Sequence, residues 1–245
     1  MDNIANHIAQ VRANIAAAAL RSGRRAEEIT LIAVTKTRTP QAAAAAVRAG
    51  VFDLGENRVQ EFTEKYGELQ HLVDADKEKP NIKWHLIGHL QRNKVKYIAD
   101  KVSLIHSADS YKLAGEIDTR AKAANRRIDV LIQLNPAGEA QKSGVPPSEA
   151  EPLIRAAVND FPHVRVCGLM AVMPAADDPE EVRMYFREVR GLYERLRSQY
   201  AAAGGADTAF RHLSMGMTHD YEVAIEEGAT MVRVGTGIFG PAESQ

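Results

Sequence analysis

Short apolar runs rich in β-branched residues recur along the chain, and most are followed by a longer stretch with helical spacing. Eight of them read as strands: ITLIAVT (29–35), VFDLGEN (51–57), KWHLIG (83–88), VSLIHSA (102–108), IDVLIQL (128–134), VRVCGLMAV (164–172), FRHLSM (210–215) and MVRVG (231–235). In LIAV and VLIQL nearly every position is apolar, as expected of strands covered on both faces in a parallel sheet. At the N-terminus, Ile4, Ile8, Val11 and Ile15 recur at helical spacing and predict an amphipathic surface helix. Pro40 opens PQAAAAAVRAG and Gly50 ends it, a Pro-first, Gly-last helix. Asp178, Pro179 and Glu181 predict the N-cap, first-turn proline and capping-box acid of a long helix from about 179. Val182, Tyr185, Val189, Leu192 and Leu196 form its apolar face, and Gly204-Gly205 ends it. A shorter helix is predicted from His219 to Glu227, stopped by Gly228.

Eight strands alternating with helices in 245 residues predict an α/β fold, a single (β/α)8 TIM barrel with an extra N-terminal helix. A doubly wound open sheet is the competing arrangement. No Pro/Gly/Ser linker or internal repeat divides the chain, so residues 1–245 read as one domain. With 45% apolar and 26% charged residues, the composition is that of a globular chain able to bury a large core. A net charge of −1 gives no basic field for nucleic acid. The basic segment QRNKVKYIADK (91–101) has one aromatic, Tyr97, and reads as a solvated helix face and a phosphate-attracting rim. No run approaches the roughly 18 uninterrupted apolar residues of a membrane span. The N-terminal stretch carries acid and amide groups where a signal peptide carries basic ones, so a cytoplasmic protein is expected. The single cysteine, Cys167, allows no internal disulfide and reads as a buried strand residue.

The last organised stretch, VRVGTGIFG (232–240), contains G-x-G-x-x-G. A dinucleotide turn of that pattern opens a helix within a βαβ unit, with an acidic residue about twenty positions on. Only PAESQ follows Gly240, which argues against that reading. In a barrel, by contrast, phosphate is often held by the loops after strands seven and eight. Those loops are SMGMTHD (214–220) and GTGIFG (235–240). Ser214 offers a hydroxyl, Gly216, Gly235 and Gly237 offer close backbone N–H groups, and Arg233 a charge-assisted bond. The helix near 219 would aim its positive end at the same place.

LIAVTKTRTP sets Lys36 directly after the first strand, on the same face as the phosphate loops. A buried mouth would disfavour the ammonium form, and a neutral amine attacks an aldehyde to form a Schiff base. Pyridoxal 5′-phosphate (PLP) is an aldehyde that carries a phosphate.

The stretches AVTKT, DLGENRVQE, WHLIGHLQRNK, HSADS, QKSGV, GLMAVMP and LSMGMTHDYEVAIEEGATMVRVGTGIFG run in order over nearly the whole chain. In them the sequence resembles the YggS/PROSC family of PLP-binding proteins, the PLP homeostasis proteins. The resemblance implies a barrel similar to the N-terminal domain of alanine racemase, with PLP joined to Lys36. It also implies a phosphate among Ser214, Gly216, Arg233, Gly235 and Thr236, Asn57 and His85 lining the pocket, and Met173 and Met215 beside the ring. Arg58 stands where the family commonly has tyrosine, and Thr218-His219 replaces a more usual Ser-led sequence.

His85 and His89 are four apart, but HLIGH lacks the glutamate of H-E-x-x-H and lies at a strand end, so no metal site is expected. His106 reads as a packed or hydrogen-bonded histidine, with a catalytic group facing the pocket as the alternative, and Lys142 in EAQKSGV as a solvated loop lysine, with a charge helping ligand entry as the alternative. Two functions follow. The first is a carrier or buffer in vitamin B6 and amino-acid homeostasis, supplying PLP-dependent apoenzymes. The second is a PLP-dependent amino-acid racemase. The barrel racemases take a second base, a tyrosine, from a C-terminal β domain of the partner subunit. The sequence ends five residues after Gly240, so the expectation is an open cofactor face and a monomeric carrier without robust catalysis.

Overall fold

Strand β8 hydrogen-bonds to β1, with Ala33 opposite Val234, and this contact closes the sheet. In the computed structural model, which describes residues 2–73, 81–202 and 210–241, eight parallel strands pair in chain order as a closed barrel. They are β1 (Thr30–Val34), β2 (Asp53–Glu56), β3 (Lys83–Leu86), β4 (Leu104–Ala108), β5 (Ile128–Leu134), β6 (Val164–Ala171), β7 (His212–Ser214) and β8 (Met231–Val234). Each lies within the apolar run that predicted it, and closure excludes the open doubly wound sheet. The helices are α1 (Asp2–Arg21), α2 (Pro40–Arg48), α3 (Val59–Val73), α4 (Tyr111–Ala123), α5 (Pro147–Asp160), α6 (Arg183–Ala202), α7 (Tyr221–Glu226) and α8 (Thr236–Phe239).

The extra helix α1 packs against α2, α7 and α8, burying Ile8, Val11 and Ile15 as their spacing predicts. His7 Nδ1–H donates to the Ile238 carbonyl at 2.9 Å, tying α1 to the last turn. Helix α2 starts where Thr39 Oγ1 accepts the Ala42 N–H at 3.2 Å and Pro40 fills the first turn. Both are groups a helix start leaves room for.

Three segments differ from expectation. Residues 91–101 form a 3₁₀ turn, Arg92–Tyr97, instead of an α-helix. Val95 and Ile98, the two residues there with no exposed surface, are three apart, a spacing the tighter helix stacks on one side. The long helix begins with a 3₁₀ turn, Pro179–Val182, in which Asp178 caps Glu180 N–H at 2.9 Å. The expected reciprocal bond from Glu181 is not among those of the described residues. The GTGIFG stretch, read as a loop, coils into the single turn α8. The predicted Gly204-Gly205 stop lies outside the described residues.

The main core fills the space between sheet and helices, with Leu54, Phe62, Leu69, Ile105, Ile117 and Phe186 fully buried. A separate small cluster joins Ile32, Leu104, Leu131, Cys167, Met170 and Met231. These come from β1, β4, β5, β6 and β8, which can meet only inside the barrel. Burial there pushes the Cys167 thiol up to about 12, so it is the inert strand cysteine expected. Where β6 bulges, Gly168 has φ +147°, and a Cβ on it would stand 1.8 Å from the His212 carbonyl oxygen. Only glycine lets β6 and β7 approach at that point. No helix among the described residues is long and apolar enough to cross a membrane.

Candidate functional site

Lys36 follows β1 at the C-terminal rim of the barrel, and its side chain is exposed. This corrects the expectation of a buried mouth around it. The backbone beside it is tightly held. The Thr35 carbonyl accepts from Lys65 Nζ at 2.6 Å, and the Thr35 hydroxyl donates to Glu56 Oε1 at 2.6 Å. On the other side, the Thr37 N–H donates to Glu61 Oε2 at 2.8 Å. Thr37 has φ +59°, a left-handed conformation uncommon for a β-branched residue. Two residues on, Arg38 donates to the Gly240 and Pro241 carbonyls, joining this loop to the end of α8.

The β8 loop lies next door. Because Ala33 pairs with Val234, Gly235 falls beside Val34, and a Cβ on Gly235 would be 3.5 Å from Val34 Cβ. Lys36 and the glycine loop therefore share one stretch of rim. Thr218 Oγ1, from the loop after β7, is within reach of the Gly235 N–H at 3.3 Å and the Gly237 N–H at 3.4 Å. One oxygen thus sits between two glycine N–H groups, the place an anionic oxygen would take. Thr236, exposed at the first position of α8, has no intrahelical partner for its own N–H. Gly216 has φ +92°, and a Cβ there would meet Ala224 Cβ at 2.6 Å. The glycine lets its loop fold onto α7. The expected positive end of that helix carries its own carboxylate, since Asp220 Oδ1 accepts the Met217 N–H at 2.6 Å.

Ser214 and Arg233 are brought together, but inside the barrel. Arg233 donates to Ser214 Oγ at 2.7 Å and to the Ala171 carbonyl at 3.0 Å, and both residues are buried. From Ser214 a chain of hydrogen bonds runs on through His106 Nδ1 (3.0 Å), then from His106 Nε2 to His85 Nδ1 (3.0 Å), then from His85 Nε2 to Asp53 Oδ1 (3.0 Å). Arg233 donating at one end and a carboxylate accepting at the other allow one continuous direction, from Ser214 through His106 and His85 to Asp53. Both imidazoles then carry their proton on Nε2. Burial, aided by the neighbouring positive groups, holds His106 well below the usual imidazole range. Burial also lowers the Arg233 guanidinium to about 10, which leaves it charged at neutral pH. The array fixes a positive charge beneath the rim between β7 and β8.

The other expected residues fall as follows. His85 belongs to this interior chain and not to the rim, and His106 is hydrogen-bonded as read. Asn57 is half-buried after β2, where its backbone approaches Gly88 so closely that a Cβ there would lie 2.4 Å from the Asn57 oxygen. Met215 is fully buried in the main core, and Met173, nearly so, also borders a cleft of about 310 Å³ with Met217 and His219. Arg58 is exposed beside His89 and Lys94 in a second cleft of about 550 Å³. Lys142 is not a solvated lysine. It is half-buried, with Nζ 2.6 Å from Glu139 and 3.0 Å from the Met173 carbonyl. His85 and His89 part: the second is exposed, near Ser143 and Asp109. Sequence reasoning missed Asp53, Lys65 and Glu56, and named Thr218 only as a departure. The signal for Lys65 was the Glu61–Lys65 pair at i,i+4; that for Asp53 was an acid opening an apolar strand.

An aldehyde with a phosphate fits this donor set. An exposed primary amine stands beside two glycine N–H groups already gathered on one oxygen, with a buried cation behind them.

Fold and rim together define a barrel of the alanine racemase N-terminal type. The family model described as alanine racemase, N-terminal domain, matches residues 7–243. The alanine racemase of Clostridium difficile superposes with a TM-score of 0.69 at 17% identity, a likeness of fold, with this chain spanning 58% of it. The similarity to other proteins extends end to end. The pyridoxal phosphate homeostasis protein of Aquifex aeolicus is 43% identical over 238 residues, covering 97% of this chain and 98% of that one. That of Escherichia coli is 40% identical over 243 residues, covering 98% and 97%. Among solved structures, PipY of Synechococcus elongatus with PLP bound gives a TM-score of 0.80 at 31% identity, covering 97% of this chain and 100% of that one. The chain belongs to the family of pyridoxal phosphate homeostasis proteins.

Proposed function

We propose that this protein binds pyridoxal 5′-phosphate through Lys36 and serves as its carrier or buffer in vitamin B6 and amino-acid homeostasis. The observation that carries the reading is the shared rim: Lys36 follows β1 and the Gly235 loop follows β8, with Val34 and Gly235 side by side. The Lys36 amine joins the aldehyde carbon with loss of one water, and the bound cofactor supplies an electron sink. Gly235, Thr236, Gly237 and Gly216 offer the phosphate backbone N–H groups, and Arg233, with Ser214 against it, supplies a fixed positive field from below. Asn57 and Met173, which line separate clefts, are taken in this reading as contacts to the cofactor ring.

The exposure of Lys36 favours carriage over sustained catalysis. Water that reaches the C=N bond can reverse it, and solvent at the ring weakens control over a carbanion. The recipients in this reading are PLP-dependent apoenzymes in the cytoplasm, and the carrier is a monomeric, single-domain chain.

The test is the near-ultraviolet and visible spectrum of the protein with added PLP, beside the Lys36→Ala variant. A yellow band in the wild type, lost in the variant and trapped on the Lys36 peptide by borohydride, is the expected result. A colourless wild type overturns the reading. Loss of the α-proton of an L-amino acid to deuterated solvent at a useful rate would replace carriage with racemase chemistry.

A further inference from the structure

We propose that Lys65, together with Glu61, is a positioning residue that fixes the backbone on both sides of Lys36 for covalent attachment of the cofactor. The inference rests on the reading of Lys36 as the anchor. Lys65 Nζ lies 2.6 Å from the Thr35 carbonyl oxygen, 2.7 Å from Glu56 Oε1 and 3.5 Å from Glu61 Oε2. The Thr35 carbonyl belongs to the peptide group that precedes the Lys36 Cα. The Thr37 N–H, held by Glu61 at 2.8 Å, belongs to the peptide group that follows it. Both peptide planes flanking Lys36 are therefore gripped by α3, one on its oxygen and one on its nitrogen. The side chain itself stays free.

The grip has a firm base. Lys65 and Glu61 are one helical turn apart on α3, and α3 is seated by Phe62, fully buried, with its ring 5.2 Å from that of Trp84. Lys65 and Glu56 are buried, and Glu56 Oε2 has no hydrogen-bond partner among the described residues. A buried ion pair is seldom the most stable way to fill a core, because each charge loses its hydration. An apolar pair would fill the same volume. What an apolar pair lacks is a donor for the Thr35 carbonyl and an acceptor for the Thr35 hydroxyl. The pair also holds the chain where Thr37 adopts its left-handed turn, the bend from which Lys36 projects at the rim. A reacting amine gains most when its own backbone does not have to be ordered during the reaction.

The experiment compares wild type, Lys65→Met, Lys65→Arg and Glu61→Ala, each loaded with PLP. Two quantities are read: total PLP retained after rapid filtration, and the rate at which PLP becomes trappable by borohydride on the Lys36 peptide. A merely structural role moves both together, or moves only the melting temperature. The expected result is retention within about threefold of wild type in Lys65→Met, with the rate of covalent attachment down at least tenfold. Lys65→Arg, which still offers donors to the carbonyl and the carboxylate, recovers most of that rate. Glu61 is partly exposed and leaves the buried pair in place, so Glu61→Ala decides the matter if Lys65→Met does not fold; a three- to tenfold slower attachment is expected. Wild-type attachment rates in folded Lys65→Met or in Glu61→Ala overturn the proposal while leaving the anchor in place. A wild type that traps no PLP on Lys36 overturns the anchor and the proposal together.

Discussion

On the β1 side of the rim, Lys36 is exposed while the peptide groups beside it are tied to Lys65 and Glu61. On the β7–β8 side the order is reversed: Ser214 and Arg233 are buried in the barrel, and the glycine loops meet the rim with their backbone. In the proposed reading Lys36 is a nucleophile that must travel to its target, which suits a free side chain on a held base. The proposed anion site works best when its dipoles cannot reorganise, which suits a charge locked in a packed array and N–H groups presented by short glycine loops. Substitutions on the two sides should therefore fail in opposite ways.

The largest difference is expected between Arg233→Leu and Lys36→Ala. Arg233→Leu leaves Ser214 Oγ and the Ala171 carbonyl without their buried donor and removes a charge that Asp220 feels. Each buried acceptor left without its donor costs about 1–3 kcal/mol. Lys36→Ala removes an exposed side chain and should change stability by less than about 0.5 kcal/mol while abolishing attachment. Urea denaturation of the two variants measures the contrast. Equal losses in both would mean that the rim is not divided in this way.

Acid should also separate the two sides. Burial pushes His212 on β7 down to about 4, and His106 moves in the same direction. The unfolded chain takes up these protons below the ordinary imidazole value of about 6.5, while the folded chain does not. Stability is therefore lost as pH falls from about 6.5 towards 4, on the order of 3 kcal/mol from His212, whose own share levels off below that. Glu56, on the lysine side, has the opposite sign. Burial raises it above the ordinary carboxyl value, so the folded state binds its proton more readily and gains as pH falls through that window. Unfolding midpoints between pH 7 and 4 should drop in the wild type and drop less in His212→Gln. An unchanged slope in the variant would assign the acid sensitivity elsewhere.

The same division explains what could be read from the sequence. All eight strands were legible because a parallel barrel buries both faces of each strand, and runs such as VLIQL record that directly. Lys36 and the glycines were legible because their places follow from strand ends and from the absence of a side chain. The interior array was not, since Asp53, His85, His106, Ser214 and Arg233 lie on five strands and no local pattern announces which of them meet. Exposure of Lys36 was misjudged for a related reason: strand position gives the rim but not the height of the loops around it. Thr218 looked like a minor departure because its partners, Gly235 and Gly237, are 17 and 19 residues away.

Thr218 also provides the mildest test. Its hydroxyl accepts from the Gly235 and Gly237 N–H groups, both at the long end of the hydrogen-bond range. Thr218→Val keeps the shape and removes the oxygen. If that oxygen mainly supports the fold, the two N–H groups lose a partner and stability falls by about 1 kcal/mol. The same groups then have no competitor for an anion. Phosphate alone should bind at least as tightly to the variant as to the wild type, measured by calorimetry with inorganic phosphate. A hydroxyl that instead donates to the anion would make the variant bind phosphate several-fold more weakly, because a donor would be lost. The sign of the change thus tells whether Thr218 occupies the anion's place or helps to hold it. Either sign in Thr218→Val, with attachment at Lys36 intact, keeps the anchor and the anion site as separable functions of one rim.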